Sequence, residues 1–145
     1  MNASCSSWTR IVLELLLNQA NATSCEELLT FLETAKPCCF ISSFHVFTII
    51  LVIQHKAKDL SLAKKFIESI QSYSGLSVFH PGYQTMLAAV DAQTQYNLDF
   101  DDGLTVAAMQ ELNITEIISF DTHYDHVQGI SRIDPIAALN KLQKL

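Results

Sequence analysis

Short apolar runs alternate with helical patterns along this chain, and this alternation restricts the possible folds more than any other feature. Strand-like runs occupy residues 38–41, 76–79, 116–120 and 132–133. Helical patterns fill the intervals at about 24–35, 44–57, 61–74, 83–90 and 102–112, and again from Pro135. Apolar strands separated by helices are typical of a mainly parallel sheet with helices on both faces. The sequence therefore predicts a single α/β domain over residues 1–145, with four to five strands.

Two segments near the start of the chain are harder to assign. Residues 11–17 are apolar except for Glu14, and periodicity alone does not separate a helix from a buried strand there. Residues 1–10 are atypical, because residues 1–7 are too polar for an ordinary buried strand. Farther along, Ser24 and Glu27 form a capping-box pattern for the first clear helix. Tyr83, Met86, Leu87 and Val90 mark a later helix.

The negative charge is concentrated in one part of the chain. Residues 97–134 hold eight acidic residues against Arg132 alone, whereas the whole chain has a net charge of -6. Such a balance argues against a basic surface for non-specific nucleic-acid binding, although it does not exclude a nuclease. A solvated acidic face explains this concentration as well as a carboxylate site for a hard divalent cation does.

Chain geometry predicts that two of these acids meet. A helix from Asp102 passes through a short loop into the strand at 116–120, so the helix and the strand run antiparallel. Their lengths agree, because about ten residues of helix and five residues of strand both span roughly 15 Å. Asp102 and Asp121 should therefore lie at the carboxyl edge of the sheet, roughly 4–8 Å apart, within bridging reach of one Mg²⁺ or Mn²⁺. Helix N-capping explains Asp99 and Asp101 equally well.

Five segments carry a resemblance to a known family, namely residues 98–104, 107–108, 117–121, 124–125 and 129–135. Together they strongly resemble the C-terminal half of PIN domains, a family of metal-dependent ribonucleases. In that family one acid begins the helix and another ends the next strand, which are the positions of Asp102 and Asp121. His123 stands where a further Asp is common. The resemblance implies an α/β fold and hydrolysis of RNA with Mg²⁺ or Mn²⁺ held by Asp102 and Asp121.

The chain departs from the family pattern upstream. Trp8 occupies the position of an expected Asp, and the expected Glu, one turn into the helix after the second strand, falls at about Thr48. The resemblance therefore implies an impaired site, with Asp99, Asp101, Asp125, Thr48 and His123 as second-layer or substitute ligands. His123 is also the best placed of the five histidines for a general base, because it follows Asp121 by two residues.

The resemblance to toxin ribonucleases of toxin–antitoxin pairs also implies partners. These are an RNA substrate, an antitoxin protein and a second copy of the chain. A non-catalytic PIN fold that binds RNA or a protein is the alternative. The longest near-apolar run, residues 44–53, is shorter than the roughly 20 residues that a membrane span needs, and we expect a cytoplasmic protein.

Overall fold

The sheet has five parallel strands in the order β3-β2-β1-β4-β5. The computed structural model describes residues 4–6, as backbone, and residues 8–144. The strands are β1 (Ser4–Ser6), β2 (Cys39–Ser42), β3 (Leu76–Phe79), β4 (Glu116–Ile118) and β5 (Ser131–Ile133). The α-helices of this part are α1 (Trp8–Leu16), α2 (Ala22–Thr34), α3 (Ser43–Lys56), α4 (Leu60–Ser72), α5 (Tyr83–Tyr96), α6 (Phe100–Glu111) and α7 (Pro135–Leu142). The predicted α/β class and strand number are confirmed.

The expectation for the first residues is wrong where the structure describes them. The polar segment Ser4–Ser6 forms the central strand, with Cys5 aligned to Phe40 on one side and to Ile117 on the other. Backbone pairing on both edges satisfies its N–H and C=O groups whatever its side chains are. Residues 1–3 and 7 lie outside the described residues.

Local sequence signals set most helix boundaries. Ser42 caps α3 by accepting a hydrogen bond from the backbone N–H of His45, and Asp59 caps α4 through the N–H groups of Ser61 and Leu62. The ambiguous segment 11–17 lies largely within α1, whose side chains Ile11 and Val12 are buried.

The predicted capping box of helix α2 is wrong, because the helix begins at Ala22, two residues before the predicted cap. The Ser24 hydroxyl, the expected cap, donates to the Asn21 carbonyl oxygen at 3.0 Å instead. It therefore sits inside the first turn of α2.

Helices α5 and α6 pack closely because small residues face each other. Ala89 and Ala92 are the buried apolar residues of α5, whereas Tyr83 and Leu87 are exposed. On α6, a Cβ atom added to Gly103 would lie 2.6 Å from the Ala89 carbonyl oxygen. The short distance between the two backbones thus depends on glycine at position 103, at the start of the helix that carries Asp102.

Gly103→Ala is expected to destabilise the fold by about 1–3 kcal/mol, the usual cost of overpacking a close contact. The added methyl group would meet backbone, which moves less readily than a side-chain end. Gly82→Ala is the control, because its Cβ would meet nothing within 4 Å. Urea denaturation of both variants measures the difference, and equal midpoints would contradict the close packing described here.

The length and composition of the helices indicate whether one of them could span a membrane. Among the described residues, none of the helices is both long and apolar enough to cross a bilayer.

Candidate metal centre

Acidic side chains meet at the carboxyl edge of the sheet, next to its central strands. Helix α6 begins at Phe100, so Asp102 lies in its first turn. Strand β4 ends at Ile118, and Asp121 then caps a 3₁₀ turn at Thr122–His126. The predicted strand 116–120 was two residues too long, but the two acids still come together at this edge.

Asp102, Asp121 and His123 form one group of possible metal ligands. One carboxylate oxygen from each acid and one ring nitrogen of His123 all lie within 4.8 Å of one another. The nearest oxygens of the two carboxylates are thus close enough for one ion to bridge them. Two acids and an imidazole at this spacing can coordinate one divalent cation.

The loop after β4 fixes the position of Asp121. Its backbone N–H donates to the Ser119 hydroxyl oxygen at 3.0 Å, and Ser119 is fully buried. Its Oδ1 accepts a hydrogen bond from the His123 backbone N–H at 2.9 Å, and His123 Nδ1 lies at the same distance from that oxygen. This Asx-type turn places the carboxylate and the imidazole side by side.

A buried tyrosine orients Asp102. The Tyr124 hydroxyl donates to Asp102 Oδ1 at 2.7 Å, and Tyr124 is only 1% exposed. Burial raises the pKa of Asp102, and the charges of Asp101 and Asp121 raise it further, while the hydrogen bond from Tyr124 opposes the shift. The ionised site therefore concentrates negative charge that a bound cation would offset.

Asp102→Asn is expected to make the metal-free chain more stable at neutral pH. Because the pKa of Asp102 is raised on folding, the folded chain holds this proton more tightly than the unfolded chain does. Stability is therefore lost as pH rises from the ordinary carboxyl pKa through the folded value, and the variant avoids this loss. Thermal melting with chelator present should show the gain at neutral pH and none in acid below that interval. A variant that melts lower at neutral pH would contradict this electrostatic account.

The other acids proposed as substitute ligands lie outside this group. Arg132 binds Asp125 through two hydrogen bonds, at 2.7 and 3.1 Å, and holds the pKa of that carboxyl below its ordinary value. Asp99 is the N-cap residue of α6, without a side-chain capping bond, and Asp101 is exposed on the first turn. Asp125 is thus occupied as an ion-pair partner, and Asp101 acts on Asp102 through its charge.

Thr48, the residue proposed on α3, uses its hydroxyl within its own helix. The Thr48 hydroxyl donates to the Phe44 carbonyl oxygen of its own helix at 3.0 Å. His45 lies in the first turn of the same helix, which begins at Ser43. Its ring lies 2.6 Å from the Ser42 hydroxyl and 3.4 Å from that of Thr105 on α6.

His45 is 6% exposed and does not bring the negative charge of a carboxylate. Burial lowers the pKa of His45, and the charge of Asp101 opposes this shift. The first turn of α3 therefore places a buried imidazole against α6.

Trp8 belongs to the core. It is 1% exposed, and its indole Nε1–H donates to the Phe40 carbonyl oxygen at 2.9 Å. Its neighbours in the core include Val12, Ile41 and Leu76. Trp8, the position where the resemblance implies an acid, is therefore an apolar packing residue.

Comparisons with known proteins agree with this architecture. The family model described as the PIN domain matches residues 9–130. A solved toxin–antitoxin complex from Klebsiella pneumoniae contains a similar chain, at 16% identity and a TM-score of 0.63, with 92% of this chain and 98% of that chain covered. Mycobacterium tuberculosis VapC20, a toxin that cleaves the sarcin–ricin loop, is similar at 14% identity and a TM-score of 0.70, with 87% and 95% covered. No curated protein sequence matches.

Proposed function

Because this chain belongs to the PIN-domain family, we propose that it is a metal-dependent endoribonuclease of the toxin–antitoxin type with an impaired site. The observation that carries the proposal is the grouping of Asp102, Asp121 and His123 within 4.8 Å at the carboxyl edge of a parallel sheet. Ligand sites of open α/β sheets lie at this edge. The donor set suits a divalent cation, since both carboxylates supply oxygen and negative charge.

Each residue of the site has a defined role in this proposal. Asp102 and Asp121 would hold Mg²⁺ or Mn²⁺, which when bound supplies activation of a water molecule and charge neutralisation at the phosphoryl oxygens of RNA. Tyr124 fixes the orientation of Asp102 through its 2.7 Å hydrogen bond, and Ser119 fixes the backbone at Asp121. Such supporting contacts commonly change metal affinity or activity by about 10–100-fold when they are removed.

The impairment follows from the two positions where the family pattern has acids. Trp8 is buried in the core, and Thr48 on α3 brings a neutral hydroxyl that bonds within its own helix. The site therefore relies on two carboxylates where the family pattern implies four. An ion that dehydrates reluctantly, as Mg²⁺ does, is held weakly by so small a charge.

A protein partner is part of the same proposal. The structural neighbour from Klebsiella pneumoniae is described as a toxin–antitoxin complex, and VapC20 as a toxin. The large apolar side chains that the described residues expose include Phe47 and Leu51 on α3 and Tyr83 and Leu87 on α5. In this proposal such side chains contact an antitoxin or a second copy of the chain.

Cleavage of a mixed, unstructured RNA pool in Mn²⁺ tests the function. We expect slow cutting, at least about 100-fold slower than that of a PIN ribonuclease with all four acids. We also expect Asp102→Asn to abolish the cutting, because ligands that act as a unit lose their function together when one is removed. Cutting as fast as the four-acid enzyme would overturn the impairment. Cutting that survives Asp102→Asn would show that this site is not responsible. Absence of cutting together with RNA binding would favour the non-catalytic module.

A further inference from the structure

We infer that His123 sets the metal preference of this site and directs it toward a borderline transition ion, of the class of Ni²⁺, Co²⁺ or Zn²⁺, rather than Mg²⁺. The inference rests on the proposed function, since it concerns the ion held by Asp102 and Asp121. It adds a residue that determines specificity and the chemical class of ion that this residue selects.

The geometry makes the imidazole a member of the ligand group. Nδ1 of His123 lies 2.9 Å from Oδ1 of Asp121, and the three donor atoms fall within 4.8 Å of one another. The backbone N–H of His123 donates to the same Oδ1, so the residue stays beside the carboxylate even when its ring turns. The side chain is 71% exposed, which leaves the ring free to reorient toward an ion.

Ligand chemistry then decides which ion is favoured. Imidazole nitrogen suits Zn²⁺, Ni²⁺ and similar ions, whereas carboxylate, carbonyl and water oxygens suit Mg²⁺ and Mn²⁺. Mg²⁺ usually keeps several of its tightly held waters and binds proteins through one or two carboxylates, so a nearby imidazole adds little to its affinity. For an ion that binds imidazole well, a metal–nitrogen bond to His123 compensates for part of the affinity that a missing carboxylate would supply. For Mg²⁺ the same bond adds little affinity.

The second reading of the same contact is an ordinary pairing of the His123 imidazole with the Asp121 carboxylate, without a role in metal binding. The two readings differ in what a change of side chain does. If His123 is a ligand, His123→Asp exchanges a nitrogen donor for an oxygen donor and changes the relative affinities of metals. If it only pairs with Asp121, the substitution changes all affinities in the same direction through charge.

Calorimetric titration of the purified chain with Ni²⁺ and, separately, with Mn²⁺ distinguishes these readings. The quantity is the ratio of the two dissociation constants, which removes effects common to both ions. We expect His123→Asp to reduce the preference for Ni²⁺ over Mn²⁺ by at least about tenfold, as the ligand preferences of the two ions require. The visible absorption of bound Co²⁺ should shift in the same variant, reporting loss of the nitrogen ligand.

His126→Asp is the matched control, because it makes the same change in the same 3₁₀ turn. His126 Nε2 lies 2.9 Å from the Tyr96 carbonyl oxygen, and the residue is not in the metal group. Its ratio should stay unchanged. An unchanged ratio in His123→Asp, or an equal change in His126→Asp, would overturn the inference while leaving a metal site at Asp102 and Asp121 intact. Failure of the chain to bind either ion would overturn both the inference and the metal dependence in the proposed function.

Discussion

Trp8→Ala is expected to destabilise the folded chain by about 3–5 kcal/mol, the usual cost of truncating a buried tryptophan. Trp8 is 1% exposed and lies at the start of α1, beside the central strand. Its loss would leave a cavity among Val12, Ile41 and Leu76, and the Phe40 carbonyl oxygen would lose the hydrogen bond from the indole. A cost of this size is a large fraction of the roughly 5–15 kcal/mol that stabilises a typical domain.

Trp8→Phe separates packing from hydrogen bonding. It keeps an aromatic ring in the core and removes the donor to Phe40, so its cost should be smaller, about 0.5–1.5 kcal/mol for one lost hydrogen bond. Urea denaturation monitored by circular dichroism gives both values. A cost below about 1 kcal/mol for Trp8→Ala, well under the range for buried aromatic residues, would show that Trp8 is not a core residue. For the same reason Trp8→Asp should unfold the chain instead of restoring a ligand.

Asp121→Asn is expected to weaken Mn²⁺ binding by at least about 10–100-fold, the range seen when even supporting groups of a metal site are removed. The substitution keeps the size of the side chain and its capping of the 3₁₀ turn, and removes one of the two negative charges of the ligand group. Isothermal titration with Mn²⁺ measures the change.

Asp125→Asn is the matched control, because it makes the same chemical change four residues later in the same segment. Asp125 is bound by Arg132 and lies outside the ligand group. Its Mn²⁺ affinity should show no comparable loss. Equal weakening by the two substitutions would mean that general negative charge, not coordination by Asp121, attracts the ion.

The part of the site that sequence predicted depends on chain geometry. A helix and a strand joined by a short loop must run antiparallel, and their matched lengths bring Asp102 and Asp121 to the same edge. That reasoning tolerates errors of one or two residues at element ends. Helix α6 begins two residues earlier than predicted, and the two acids still come together.

The supporting contacts could not be predicted in the same way. Tyr124 follows β4 in the chain, and its hydroxyl bonds to Asp102 across 22 residues of sequence. The contact between His45 and Thr105 spans 60 residues. Such pairs depend on how whole elements pack, which periodicity within a single element does not specify.

In helix α5 the large apolar residues that mark the helix in the sequence do not form its buried face. Tyr83, Leu87 and Val90 mark the helix correctly, but all three are more than half exposed. The face turned inward carries small residues, Ala89 and Ala92, because the neighbouring helix presents Gly103 at very short range. Close packing of backbones favours small side chains, so the largest apolar residues lie on the opposite face of this helix.

The apolar pattern of the sequence does not reveal strand β1. The polar segment Ser4–Ser6 holds the central position through backbone pairing with β2 and β4. A strand of three residues gives too short a pattern for periodicity to act on, and its place is set by the neighbours that it joins.

Anomalous diffraction from crystals grown with Mn²⁺ tests most directly whether this edge of the sheet is a metal centre. We expect one strong peak in contact with a carboxylate oxygen of Asp102 and of Asp121, and no such peak in crystals of Asp102→Asn. A peak coordinated by other acids, such as Asp99 or Asp125, or saturating Mn²⁺ with no peak at Asp102 and Asp121, would contradict it.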